Sequence, residues 1–277
     1  MPLTILEQSL VMFPLVLGLF LSYRLLKVAD LGSEASFLIG AAILSRLLSS
    51  GYPFLLALSG TLLSGAFVGL ISSMIQEKLK LNPLISGILV VFIFQSVNHK
   101  IMGRPNISLL GLTSLNNLNQ IHLLIFIGLL ILALFSLILV SKLGLIFKAV
   151  GNNPQLASFF GFSKLIYKTL AFMISNSLAS LSGALSTTTQ GFADLGMASG
   201  VVLIALAIVI LGLQIQKICH VKESSLIFFF SAIIYFFVLN SCLLFDFDLI
   251  YLKLIIGIAL VLFFGISEKT IRKEQVA

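Results

Sequence analysis

"FKAVGNNPQLASFFGFSKLIYKTLAF", residues 147–172, is a polar island in a chain that is oily almost from end to end. It carries Lys148, Lys164 and Lys168, no acidic residue, one proline and two glycines. Asn153 ahead of Pro154 is a helix-start arrangement, with proline in the first turn where its missing N–H costs nothing. The pattern predicts a short helix over 155–160, with Gly161 ending it and Phe159 and Phe160 available for contact. Aromatic side chains left exposed on a short helix need a partner surface.

Working outward, the 277 residues are 59% hydrophobic and only 10% charged, with a mean hydropathy of +1.15. An ordinary soluble domain is about a quarter charged. A bilayer-spanning helix needs about 20 mostly apolar residues, so the chain reads as an all-α, polytopic helical bundle in a membrane. The apolar runs predict about nine spans (eight to ten): 3–25, 34–50, 53–76, 82–99, 120–141, 165–187, 198–215, 225–242 and 249–266. The second is short and interrupted by Gly40 and Arg46, so a broken or re-entrant element is the alternative there. The whole of 1–277 reads as one transmembrane domain, with a coupling segment at about 147–164. The first run lacks a basic head and a small-residue cleavage site, so it is not expected to be a removable signal peptide.

Basic residues near span ends stay on the cytoplasmic side. Alternate loops carry 13 of them (Arg24, Lys27, Lys78, Lys80, Lys142, Lys148, Lys164, Lys168, Lys217, Lys222, Lys269, Arg272, Lys273), against 4 on the other side (Arg46, Lys100, Arg104, Lys253). The carboxyl terminus and the 147–172 stretch are therefore expected in the cytoplasm and the amino terminus outside. The net charge of +7 follows from this bias. No basic face interleaved with aromatics points to nucleic acid.

Small residues let membrane helices approach, and Gly65 to Gly69 and the series Ser175, Ala179, Gly183 have the right spacing for packing faces. "ADLGSEAS" (29–36) echoes "ADLGMAS" (193–199), each just ahead of an apolar span and on opposite predicted faces. Inverted repeats of transporters have that relation; chance recurrence in a low-diversity sequence is the alternative. Cys219 and Cys242 sit at opposite ends of the eighth predicted span, too far apart to pair. The histidines lack partners at ligand spacing, so no metal site is expected.

Polar groups inside spans are expensive and by default mark a pathway. The candidates are Asp30, Glu34, Ser36, Ser86, Gln95, Asn98, Asn176, Gln190 and Asp194, with Glu7 and Gln8 near the amino terminus. The competing reading puts the acids at interfaces and gives Gln95 and Asn176 an interhelical hydrogen bond, worth about 0.6 kcal/mol in membranes. Arg104, Asn106 and Ser108 lie near the predicted outer face, where a delivering protein would dock. No G-x-x-x-x-G-K-[ST] occurs, so an ATP site of that design is not in this chain. Paired carboxylates, H-E-x-x-H and G-x-S-x-G are also missing, which puts an intramembrane enzyme last. A gradient-driven secondary transporter needs coupling carboxylates near mid-membrane, and the acids are predicted at span ends.

"AVGNNPQLASFFGFSKLIYKTLAFMISNSLASLSGAL" resembles the coupling segment and following helix of the branched-chain amino acid and sugar type of ABC-transporter permeases. Ala149, Val150, Gly151, Asn153, Pro154, Ala157, Gly161, Lys168, Leu170, Ala171 and Phe172 occupy the family's pattern. Asn152 stands where that family is often acidic, which implies altered pairing with the ATPase. "LKLNPLISGILVVFIFQSVNHKIMGRPNISLLG" (79–111), Asp30-Leu31 with Ser36-Phe37, and "QGFADLGMASGVV" are similar to a smaller permease group associated with tryptophan or related aromatic amino acids.

The resemblance implies a subunit without catalysis or a cofactor of its own, ATP and Mg being bound by a partner ATPase dimer. That dimer would grip Gly151, Asn152, Asn153, Pro154, Gln155, Ala157, Phe159, Phe160 and Gly161. It further implies an extracytoplasmic binding lipoprotein, a second permease copy in a homodimer, and a place in the bacterial inner membrane.

Overall fold

The computed structural model describes residues 2–109, 117–218 and 224–244. The predicted ninth span, 249–266, and Cys219 lie outside them. The chain runs α1 (Pro2–Phe20), continued by a π turn at Leu21–Leu25, then α2 (Gly32–Ser49), α3 (Phe54–Lys78) and α4 (Pro83–Met102). A short strand β1 (Asn106–Ser108) precedes α5 (Asn117–Val140), α6 (Lys142–Asn152), α7 (Pro154–Phe159) and α8 (Lys164–Gln190). Strand β2 (Phe192–Asp194) leads to α9 (Val201–Ile218) and α10 (Ser225–Leu244).

Among the described residues six helices are long and apolar enough to cross a membrane: Pro2–Leu25, Phe54–Lys78, Pro83–Met102, Ile121–Val140, Val201–Ile218 and Ser225–Cys242. Two more long helices, α2 and α8, are more polar and are buried along most of their length. α8 is the axis of the bundle, with α1, α2 and α3 packed around it. It can be rich in serine and threonine because it faces protein instead of lipid, so its surroundings supply hydrogen bonds.

Helix directions follow from paired contacts. Ser175 Oγ donates to the Gly18 carbonyl at 2.7 Å and Ser182 Oγ to that of Val11 at 2.7 Å, which makes α1 and α8 antiparallel. α3 is antiparallel to α8 as well: Ser180 meets Thr61, Ser73 meets Thr169, and Glu77 meets Lys164 and Lys168. α2 runs parallel to α8, with Ser36 against Asn176 and Gly40 against Ser180.

The small-residue series act as packing faces, as expected. A Cβ at Gly65 would strike the Asn176 carbonyl, one at Gly69 that of Phe172, and one at Gly183 that of Phe37. Backbones can approach this closely only where side chains vanish. Gly40 does not break α2. It is a point of close approach to the Ser180 carbonyl inside an uninterrupted helix.

The ends of the bundle are built from caps. Asn82 Oδ1 accepts the Leu84 N–H ahead of Pro83 to open α4, and Gly103 closes it at φ +66. Gly191 closes α8 at φ +74 and feeds β2, which pairs antiparallel with β1 in the register Asn106 to Asp194, Ile107 to Ala193 and Ser108 to Phe192. This ribbon was not expected from the sequence, because each strand has only three residues.

Gly183→Leu forces its side chain into the α2 backbone and is expected to cost about 3 kcal/mol, in the range for overpacking a core. The readout is a lower melting temperature of the detergent-solubilised protein, with Leu203→Ala, an exposed position on α9, as the unaffected reference.

Candidate functional site

The 147–172 stretch holds the end of α6, the whole of α7 and the start of α8, so two helices and not one precede the α8 span. α6, outside the expected short helix, lays Gly144, Phe147 and Val150 inward. Gly151 sits on the π turn of α1, where a Cβ would collide with the Leu25 carbonyl. π turns often mark functional positions because they leave helix backbone geometry open to a neighbour. Asn153 is extended, and its Oδ1 accepts the Leu156 N–H at 3.1 Å while Pro154 starts α7. Ala157 is buried and pins the short helix to the bundle. Gly161 turns the chain at φ +83, a left-handed conformation that a side chain would strain.

What α7 offers outward is apolar. Leu156, Phe159 at 87% exposure and Phe160 at 66% stand clear, the two rings meeting edge to face at 6.0 Å. Asn152 and Gln155 are exposed beside them. Of the residues grouped as contacts for a partner, Gly151 and Ala157 thus pack inward, Asn153, Pro154 and Gly161 shape the turn, and only the rest present themselves.

The lysines of this stretch find their acid far away in sequence. Glu77, near the end of α3, pairs with Lys164 at 3.2 Å and with Lys168. Lys168 also lies over the Phe172 ring, 5.7 Å from its centroid. These contacts tie the start of α8 to the end of α3. Neither Glu77 nor its role was legible, since 91 residues separate it from Lys168.

Inside the bundle, three expected pathway residues meet. Asp30, 3% exposed, accepts the Gly32 N–H at 2.9 Å, Ser72 Oγ at 3.2 Å and Asn176 Nδ2 at 2.7 Å. Ser36 Oγ donates to Asn176 Oδ1 at 2.6 Å. Asn176 lies 12 residues into α8, about 18 Å along it at 1.5 Å per residue. Asp30 is therefore not at a span end, as expected, but deep between α2, α3 and α8. The chain turns back into the bundle between the π turn and α2, with Lys27 at φ 56. A carboxylate with three donors is a satisfied staple, which is how a buried charge is tolerated.

The other candidates separate. Ser86 is buried and returns its hydroxyl to the Pro83 carbonyl at 2.9 Å, within its own helix. Glu34, Gln95 and Asn98 share a cavity between α2, α4 and the turn before α9. Gln190 lines a cavity of about 330 Å³ with Glu7 and Gln8, and Gln8 accepts Asn240 Nδ2 at 2.9 Å. Asp194 belongs to the β ribbon, its Oδ1 accepting the Gly196 N–H at 2.7 Å. Arg104, Asn106 and Ser108 are exposed on or next to that ribbon. Among the described residues no group of three or more His, Cys, Asp or Glu could hold a metal ion.

Comparison with known proteins places this architecture. The family model described as branched-chain amino acid transport system, permease component, matches residues 1–264, and the chain belongs to that family. It is a transmembrane permease of the amino acid transport class. The chain is 38% identical over 281 residues to an uncharacterized protein of Rickettsia prowazekii (strain Madrid E), covering 99% of this chain and 98% of that one. It is 31% identical over 280 residues to the tyrosine transport system permease protein of Clostridioides difficile (strain R20291), covering 99% and 93%. No solved structure gives a significant match.

Asp30→Ala strands Asn176 and Ser72 in the interior and is expected to cost about 2–3 kcal/mol, the penalty for unsatisfied buried partners. Asp30→Asn keeps acceptor capacity and should cost less. Thermal unfolding of both variants beside the parent protein checks the order.

Proposed function

We propose that this permease is the membrane subunit of an ATP-driven importer of an aromatic amino acid, with tyrosine or tryptophan as cargo. Two separate ATPase chains supply hydrolysis and grip the α6–α7 segment. An extracytoplasmic binding protein delivers the solute to the face that carries Arg104, Asn106 and Ser108. Two permease copies frame the path, and about nine spans place the carboxyl terminus and α7 in the cytoplasm of a bacterial cell, in its inner membrane.

The observation that carries this reading is α7: a six-residue helix, capped at both ends, whose Leu156, Phe159 and Phe160 are exposed while Ala157 anchors it. An apolar tip held out on a fixed turn suits a groove in a partner. The end of α1, the end of α3 and the start of α8 gather beside it with Arg24, Lys27, Lys78, Lys164 and Lys168, the charge bias of a cytoplasmic face. The printed name of the Clostridioides difficile relative supports an aromatic cargo. Closure of the ATPases would press α7 and bias the helices between two states.

An inverted repeat fits the same architecture. A step of 164 residues takes Ala29 to Ala193, Val11 to Ser175 and Gly18 to Ser182. Under that step the bonds Ser175 to Gly18 and Ser182 to Val11 exchange with each other. The packing of Gly65 on Ser177 exchanges with the Phe13 and Phe229 ring pair, 5.3 Å between centroids. Asp30 and Asp194 each accept the N–H of the glycine two residues on. α1 packs on α9 and α10 as α8 packs on α2 and α3.

Gradient-driven transport is the second reading, favoured by the depth of Asp30. Uptake by vesicles holding only this chain and an ion gradient would establish it.

Phe159→Glu and Phe160→Glu are expected to abolish co-purification of the partner ATPase and to leave the melting temperature within about 1 °C, because both side chains are exposed. Gly151→Glu should lower the melting temperature itself, through the Leu25 clash. Full ATPase recovery with both phenylalanines replaced would sink the docking assignment.

A further inference from the structure

The cavity between α2, α4 and the turn into α9 has a donor and acceptor balance that the fold does not use. Glu34 sits in the first turn of α2, half-buried, and takes one bond from the protein: its Oε1 accepts the Gly200 N–H at 3.1 Å. Among the described residues no lysine or arginine lies within ion-pair distance of it. Across the cavity Asn98, 0% exposed, has a buried Oδ1 with no partner, and its Nδ2 makes only a long contact of 3.5 Å to the Ala35 carbonyl. Gln95 adds a second amide from the next turn of α4, and it is exposed, so the cavity can be reached from that face. The remaining walls are Ala35, Leu38, Val91, Leu195 and Ala198, which are apolar, and Ser199, which adds one hydroxyl.

A carboxylate without a counter-charge and an orphaned buried acceptor are both costs that a fold keeps only for a reason. A neutral donor can satisfy the amide oxygen but brings no counter-charge to Glu34, and an anion relieves neither. A group with positive charge and several N–H donors relieves both at once, and a primary ammonium has three donors on one compact centre. Size narrows the match further. The cavity measures about 80 Å³, enough for an ammonium and its α-carbon but not for a phenol or indole ring, which would extend over the exposed face of α4.

We infer that this cavity is the subsite for the α-ammonium group of the transported amino acid, with Glu34 as its counter-charge and Asn98 Oδ1 and Gln95 as further acceptors. The assignment rests on the amino acid reading above. It gives Asn98, at the head of the "NHKIMGRPNISLL" block, a ligand-facing role separate from the satisfied cluster around Asp30.

The test is equilibrium binding to the full chain in lipid nanodiscs, in sodium-free choline buffer at pH 7, with L-tyrosine, tyramine and 3-(4-hydroxyphenyl)propionate as probes. Tyrosine and tyramine, which keep the ammonium, are expected to bind and raise the melting temperature. The propionate, which lacks it, is expected to do neither. Glu34→Gln keeps an acceptor for Gly200 and should weaken tyrosine binding at least tenfold. Equal binding of the propionate, or unchanged tyrosine affinity in Glu34→Gln, overturns the subsite; the first comparison needs no variant to fold. A stabilising shift from sodium chloride alone that tyrosine does not compete with makes the cavity a metal-cation site and also overturns it. If tyrosine fails but another amino acid binds in a Glu34-dependent way, the subsite holds and the aromatic cargo falls. If no ammonium compound binds, the subsite falls. If the assembled transporter with Glu34→Gln imports tyrosine at the parental rate, the importer reading stands and the subsite falls.

Discussion

Everything in this bundle leans on the polar seam along α8. In lipid, apolar side chains gain little by turning from tails to neighbouring helices, so hydrogen bonds and close backbone approach must hold the helices together. α8 supplies both. Ser175 and Ser182 reach the α1 backbone, Ser180 reaches that of α3 at Thr61, and Asn176 bridges Asp30 and Ser36. Between these bonds, Gly183 lets α2 come into backbone contact. Each bond is small on its own, about 0.6 kcal/mol by membrane measurements. Together they fix the rotation and register of three helices around one.

Under the importer proposal, the contacts at the base of this seam are the ones that would carry a force from α7 into the bundle. α6 rides on the π turn that ends α1, α7 is pinned by Ala157, and α8 begins two residues after Phe162. Glu77 then clamps Lys164 and Lys168, so α3 moves with the base of α8. The exposed Leu156, Phe159 and Phe160 are the free end of this train. Rigid contacts of this kind transmit a displacement because packed helices shift between discrete arrangements and do not deform smoothly.

Two kinds of polar residue share the interior, and their bonding states tell them apart. Asp30 has donors on all sides and closes a structural joint. Asn98 has an acceptor with nothing to accept from, and Glu34 has a charge with one backbone donor. Identical residue types in a membrane sequence can thus be fully bonded glue, as Asn176 is, or keep unused bonding capacity, as Asn98 does. The distinction is invisible without knowing what stands opposite.

The sequence by itself determined the solvent of this protein, its helical class, the family resemblance, and the short capped helix after Asn153. Those follow from local quantities: hydropathy over about 20 residues, a proline after an asparagine, a glycine where φ must be positive. The packing role of Gly65, Gly69 and Gly183 was readable too, since small residues at four-residue spacing lie on one helix face. Only the tertiary structure decided that Gly40 leaves α2 whole, that Asp30 sits deep and not at an interface, and that Glu77 answers the lysines of α8. It also decided that two three-residue strands far apart in the chain pair, Asn106 with Asp194 and Ser108 with Phe192. Partners so far apart carry no local signature, because the energy that selects them appears only when the helices are already side by side.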